Sequence, residues 1–146
     1  MSCGASGSRS SSSANCNMWK FVASRLRSFG YAFRGWWYVL RTQRNAWLHV
    51  VIALLVFGLS IWLGLRPLEW AVIVLTTAIV FAAEFLNTAI EAVVDLASPH
   101  KHPLAKVGKD VGAGAVLISA LAAVVIGALV LGPPLWTRLR PILGLR

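Results

Sequence analysis

Residues 46–65 run for twenty positions without a charged side chain, and His49 is the only ionisable group among them. Wound as an α-helix, that stretch is about 30 Å long, the thickness of a bilayer's hydrocarbon core. Two more segments share its character. Residues 68–97 are uncharged over 70–83, and residues 111–131 are apolar up to Gly132-Pro133-Pro134, which is expected to end the helix. Overall, 58% of the chain is hydrophobic and only 13% charged, where an ordinary soluble domain carries about 25% charged residues. A chain of 146 residues cannot hide that much apolar surface from water. It reads as an all-α membrane protein with three transmembrane helices.

The flanks divide the rest. Residues 1–17 are rich in Ser and Gly, show no periodicity and read as a disordered leader. Cys3 and Cys16 fall within it and read as incidental. The leader fits an organelle transit peptide only loosely, and a start at Met18 is the simpler account. From there Trp19, Val22, Leu26, Phe29, Phe33, Trp36 and Leu40 recur at helical spacing. Lys20, Arg27, Arg34 and Arg41 follow a seven-residue repeat away from that stripe. Residues 18–45 are therefore an amphipathic helix suited to the membrane interface, weakened or broken locally at Gly30 and Gly35. Arg66-Pro67 makes a short turn, residues 98–110 form a polar loop, and residues 133–146 are a basic tail.

The net charge is +9. Beside three apolar spans, that excess points to anionic lipid headgroups and not to nucleic acid. Residues 18–45 hold six Lys and Arg and the second loop three, against four at Arg66, Arg138, Arg140 and Arg146. The positive-inside rule then puts the N-terminus and second loop of this multi-pass protein in the cytoplasm. A ridge of small residues at Ala115, Ser119, Ala123 and Gly127 suits close helix approach and self-association.

Four of the five acids, Glu84, Glu91, Asp95 and Asp110, fall within 27 residues. Glu84, Asn87, Glu91 and Asp95 are spaced three, four and four, which sets them on one face of a helix within an arc of about 80°. Carboxylates at membrane depth are costly and read as functional. A solvated face accounts for Asp95 equally well, but not for Glu84, which Phe81, Ala82, Ala83, Phe85 and Leu86 surround. Close carboxylates with an amide oxygen suit Mg²⁺ shared with phosphates. Lys109-Asp110, at the expected mouth of the third helix, adds a positive charge and free N–H groups for a phosphate. The set suggests phosphoryl transfer to a membrane-dissolved alcohol, with Glu84 accepting the alcohol's proton.

No P-loop, G-x-G-x-x-G or nucleophile elbow occurs, and His49, His100 and His102 lack metal spacing. A small proton or cation pore built on the acidic face is a rival reading.

The run E84-F-L-N-T-A-I-E-A-V-V-D95, then H102-P-L-A-K-V-G-K-D110 and G112-A-G-A-V-L117, resembles the bacterial integral-membrane diacylglycerol kinase and undecaprenol kinase family. The likeness covers about residues 25–131 and includes Gly30-Tyr31. The H-P-L-A-K wording is closer to the undecaprenol kinase branch. The resemblance implies a homotrimer with active sites shared between neighbours, ATP as phosphoryl donor and Mg²⁺ as metal. It makes Glu84 the proton acceptor, Asn87 its motif partner and Glu91 a metal ligand in residues 46–132. Lys109 and Asp110 would contact nucleotide, with Tyr31 and His102 as further contacts. Thr42-Gln43-Arg44-Asn45 stands where the family carries a second metal-binding Glu, so Gln43 would be a neutral ligand. That departure implies weaker metal binding, or a lipid- or nucleotide-binding protein that has lost catalysis.

Overall fold

A computed structural model describes the backbone of residues 11–144 and the side chains of residues 19–144. The leader's first ten residues, with Cys3, lie outside the described residues. Four helices follow in order: α1, Ser11–Thr42; α2, Arg44–Leu63; α3, Pro67–Ala97; and α4, Pro103–Leu139. The chain forms two compact units, residues 1–38 and residues 39–146.

In the first unit, α1 is already helical from Ser11, eight residues before the aromatic stripe begins at Trp19. It also runs through Gly30 and Gly35 without the expected break. A helical glycine costs only about 1 kcal/mol, and local ties offset it. Arg34 donates to the Gly30 carbonyl at 3.3 Å and lies over the Tyr31 ring, 4.7 Å from its centroid. Arg25 lies over Phe21 in the same way, at 4.8 Å.

The second unit holds α2, α3 and α4, each long and apolar enough to cross a membrane. Extended backbone at Gln43 separates α1 from α2. α2 stops at Gly64, which takes the left-handed conformation with φ 69° and donates to the carbonyls of Ser60 and Ile61. Glycine alone does this without strain. Arg66 and Pro67 then start α3, with proline at a position whose N–H needs no partner. The Glu69 carboxylate accepts from the Arg66 backbone N–H at 2.8 Å and from its guanidinium at 2.8 Å. Glu69 is therefore the cap of this turn.

The loop between α3 and α4 is shorter than the sequence suggests. Pro103 opens α4, and His102 caps it by accepting the Leu104 N–H on Nδ1 at 3.2 Å. The expectation that Lys109-Asp110 stands at a helix mouth is overturned. Both lie in the second turn, where backbone N–H groups are consumed by the helix. α4 likewise continues through Pro133-Pro134 to Leu139. Each proline removes one N–H, yet the helix persists because its end is packed. Thr137 donates to the Pro133 carbonyl at 2.9 Å, and Arg138 lies 5.9 Å from the Trp62 ring centre. The chain then turns back at residues 140–144.

α3 and α4 make the principal helix pair, and α2 leans on both. Leu63, Leu65, Ile73 and Leu131 form a buried cluster at the α2–α3 turn, with Phe57, Trp70 and Leu135 around it. Leu54, Leu55, Leu75, Ile118, Val124 and Leu129 are among many large apolar side chains that face outward. Such a surface is stable in hydrocarbon and not in water. This is a multi-pass membrane protein.

Candidate active site

The polar residues of the second unit gather at the end of the bundle opposite the α2–α3 turn. α3 carries Glu84, Asn87 and Glu91 on one face, turned into the bundle. Glu84 is 1% exposed, and Asn87 and Thr88 are buried with it. Glu91 is half-buried. Its carboxylate is held on both oxygens. Asn87 Nδ2 donates to Oε1 at 2.9 Å, and Gln43 Nε2 donates to Oε2 at 2.9 Å. An acceptor-only carboxylate dictates that both amides face it with nitrogen.

That orientation leaves Asn87 Oδ1 buried and without a hydrogen-bond partner. It points at Gly112 of α4, where a Cβ would collide with it. An orphaned buried acceptor is unusual and needs a reason. Here it is a hard oxygen one side chain away from a carboxylate. With Gln43 and Glu91 it makes an oxygen-rich donor set of the kind Mg²⁺ accepts alongside phosphate oxygens. The residues fit such an ion once both amides turn their oxygens toward it. No group of three His, Cys, Asp or Glu side chains suited to a metal converges among the described residues.

A second polar region lies one to two turns further along α3 and across on α4. Lys109 Nζ is 2.5 Å from Asp95 Oδ1, and both side chains are substantially open to solvent. They border a cleft of about 700 Å³ whose wall includes His100, Lys101, His102, Lys106 and Asp110. Its size falls in the range of small-molecule sites. At the start of α4, Pro103 has no N–H, and those of Leu104 and Lys106 are taken by His102 Nδ1 and the His102 carbonyl. Asp95 takes the solvated position that its end of the stripe allows.

An apolar cavity of about 400 Å³ opens between α2, α3 and α4. Val80 and Phe81 of its wall stand one helical turn from Glu84. Ala123 and Gly127 of the small-residue ridge line it too, facing this cavity.

The structure thus gathers Gln43, Asn87 and Glu91 directly, with Glu84 on the same face. Lys109, Asp110 and His102 gather at the cleft. Tyr31 belongs to the first unit, its ring exposed beneath Arg34. Sequence reasoning passed over three neighbours. Gly112 clears space for Asn87. His49 of α2 meets Phe81 edge-on, with ring centres 6.4 Å apart. The buried Thr88 hydroxyl donates to the Glu84 carbonyl at 2.9 Å. Of these, His49 stands out in the sequence as the one ionisable group of the first span and Gly112 opens the G112-A-G-A-V-L117 run, but neither signal points to its neighbour in the site.

Helices of membrane-crossing length with an acid-and-amide site at one end define a small intramembrane protein built around polar chemistry. A sequence profile described as prokaryotic diacylglycerol kinase matches residues 30–131. The chain belongs to that family. Diacylglycerol kinase of Synechocystis sp. is 43% identical over 120 residues, spanning 82% of this chain and 69% of that protein. Undecaprenol kinase of Bacillus subtilis is 42% identical over 110 residues, spanning 75% and 89%. Diacylglycerol kinase of Escherichia coli is 30% identical over 113 residues, spanning 73% and 87%.

Proposed function

We propose that the protein is a membrane lipid kinase that transfers the γ-phosphoryl group of ATP to the hydroxyl of a lipid alcohol. The observation that carries this reading is Glu84. A carboxylate almost fully withdrawn from solvent sits between an apolar cavity on one side and the Asn87–Glu91–Gln43 cluster on the other. That position suits a base acting on a hydroxyl delivered from lipid.

In this reading the lipid chain occupies the apolar cavity, and its hydroxyl reaches Glu84, which takes the proton as the oxygen attacks the γ-phosphorus, the bond from that phosphorus to the β–γ bridging oxygen breaks, and ADP leaves. Before a cation arrives, Asn87 holds Glu91 in place through its amide nitrogen. Lys109, freed from Asp95, meets the phosphate chain in the cleft, with His102 and Asp110 beside it. That Tyr31 is a further nucleotide contact rests on the family resemblance alone. Glu91, with the amide oxygens of Gln43 and Asn87, would hold Mg²⁺. The ion when bound neutralises phosphate charge and aligns the donor. Burial of the reacting groups strengthens each of these electrostatic effects.

The functional unit is a homotrimer in the cell inner membrane, with the N-terminus and the α3–α4 loop in the cytoplasm, where ATP is. The acceptor is undecaprenol or diacylglycerol. The residues 102–106 wording favours undecaprenol, and relatives of both names stand at nearly equal identity. Detergent-solubilised protein given γ-labelled ATP, Mg²⁺ and each lipid in turn tests this. Label is expected in undecaprenyl phosphate above phosphatidic acid. No label in either lipid, with an active relative run alongside, would reject the kinase reading.

A further inference from the structure

We infer that Gln43 acts as a gate on the metal position, so that a divalent cation settles at Glu91 only when nucleotide phosphates arrive with it. The inference rests on the kinase reading for the identity of the nucleotide, but its geometry is that of the chain's own side chains. Glu91 is the one carboxylate in direct hydrogen-bond contact with this cluster, and each of its oxygens already accepts an amide N–H. The two donors come from different elements, Gln43 from the cap of α2 and Asn87 from α3. Together they close the carboxylate as a clasp.

A cation approaching Glu91 meets the positive ends of both amide dipoles. To bind, it must displace the two N–H groups and turn the amides so that their oxygens face it. The reward is small, because one negative charge and neutral oxygens hold Mg²⁺ weakly. Triphosphate oxygens supply the missing charge. Asn87 is poised for such a turn, since its Oδ1 now accepts nothing and faces Gly112. A glutamate at position 43 would reverse the logic. Two carboxylates would confront each other across a hydrogen-bond distance and repel until a cation joined them.

The test reads metal binding and not turnover. Full-length protein in detergent is dialysed against Mn²⁺ with and without β,γ-methylene-ATP, and protein-retained Mn²⁺ is measured by electron paramagnetic resonance. For the unaltered chain, retention at 100 µM Mn²⁺ is expected only with the analogue present. Gln43→Glu is expected to bind Mn²⁺ without nucleotide at least tenfold more tightly. It should also melt several degrees lower in EDTA and recover when Mn²⁺ is added. Equal Mn²⁺ retention by the unaltered protein with and without the analogue would overturn the gate even if Gln43→Glu did not fold. A positive lipid-labelling assay beside that result would leave the kinase reading standing, and the reverse pair of results would separate them the other way.

Discussion

Asn87 cannot hold Glu91 unless something makes room for its other end, and Gly112 is what makes room. The amide donates to Glu91 through Nδ2, which drives Oδ1 against α4 at a point where only a hydrogen fits. Gly112→Ala should therefore push the Asn87 side chain aside and break its bond to Glu91. A fall in kcat of tenfold or more is expected, because a displaced Asn87 can neither set Glu91 before the metal arrives nor turn its Oδ1 toward it, with a stability loss of about 1–2 kcal/mol for the overpacked contact. Gly114→Ala, where an added Cβ meets nothing, should change neither. Kinase assays and thermal melts of both variants check this, and equal behaviour of the two would contradict it. The polar face of α3 was legible from spacing alone, because three carboxylates and an amide at three- and four-residue intervals have no apolar explanation. How the cluster is wired was not legible. Nothing in one-dimensional spacing tells that Gln43, 48 positions before Glu91, donates to it, or that an amide's far end meets a glycine.

Helices were easier to foresee than their ends. Hydrophobic length marks a span directly, but a boundary is a contest among caps, prolines and packing. α4 shows both failures. Pro103 was counted with the loop, although proline in the first turn starts a helix, and His102 supplies the cap. Pro133-Pro134 reads as a stop in the sequence, yet Leu131 and Leu135 pack on the cluster around Leu63 and Ile73 and hold the helix on course. The α2–α3 turn was foreseen as short, and here its stop is a backbone requirement. Gly64 has φ 69°, so Gly64→Ala places a Cβ in the left-handed region at a cost of about 1 kcal/mol. A lower melting temperature is expected with lipid phosphorylation at 25 °C unchanged. Gly64 lies a full helix of 20 residues from the Gln43 cap, about 30 Å from the site. Loss of activity in a folded variant would show that the turn reports to the site.

Charge asymmetry between the two ends of the three-helix unit sets how the protein sits in a bilayer. The loop end carries Lys101, Lys106 and Lys109 beside the proposed nucleotide cleft. The other end carries Arg66, whose guanidinium is engaged by Glu69, with Arg138 over Trp62 and Arg140 beyond it. The basic tail weakens a simple count, but α4 ties Arg138 to the end of α2, and its charge is partly spent on an aromatic face. The residues preceding α2 and the α3–α4 loop still hold the larger share, so both should be cytoplasmic. The proposed kinase activity calls for the same orientation, because a cleft facing the other compartment would not meet cytoplasmic ATP. With Cys3 and Cys16 replaced by serine, His100→Cys in the exposed loop should react with a membrane-impermeant maleimide only after cells are broken. Leu143→Cys, exposed beyond α4, should react in intact cells made permeable only at their outer surface. Reversed labelling would place the Lys109 cleft away from the nucleotide pool, and a kinase drawing on cytoplasmic ATP could not work in that orientation.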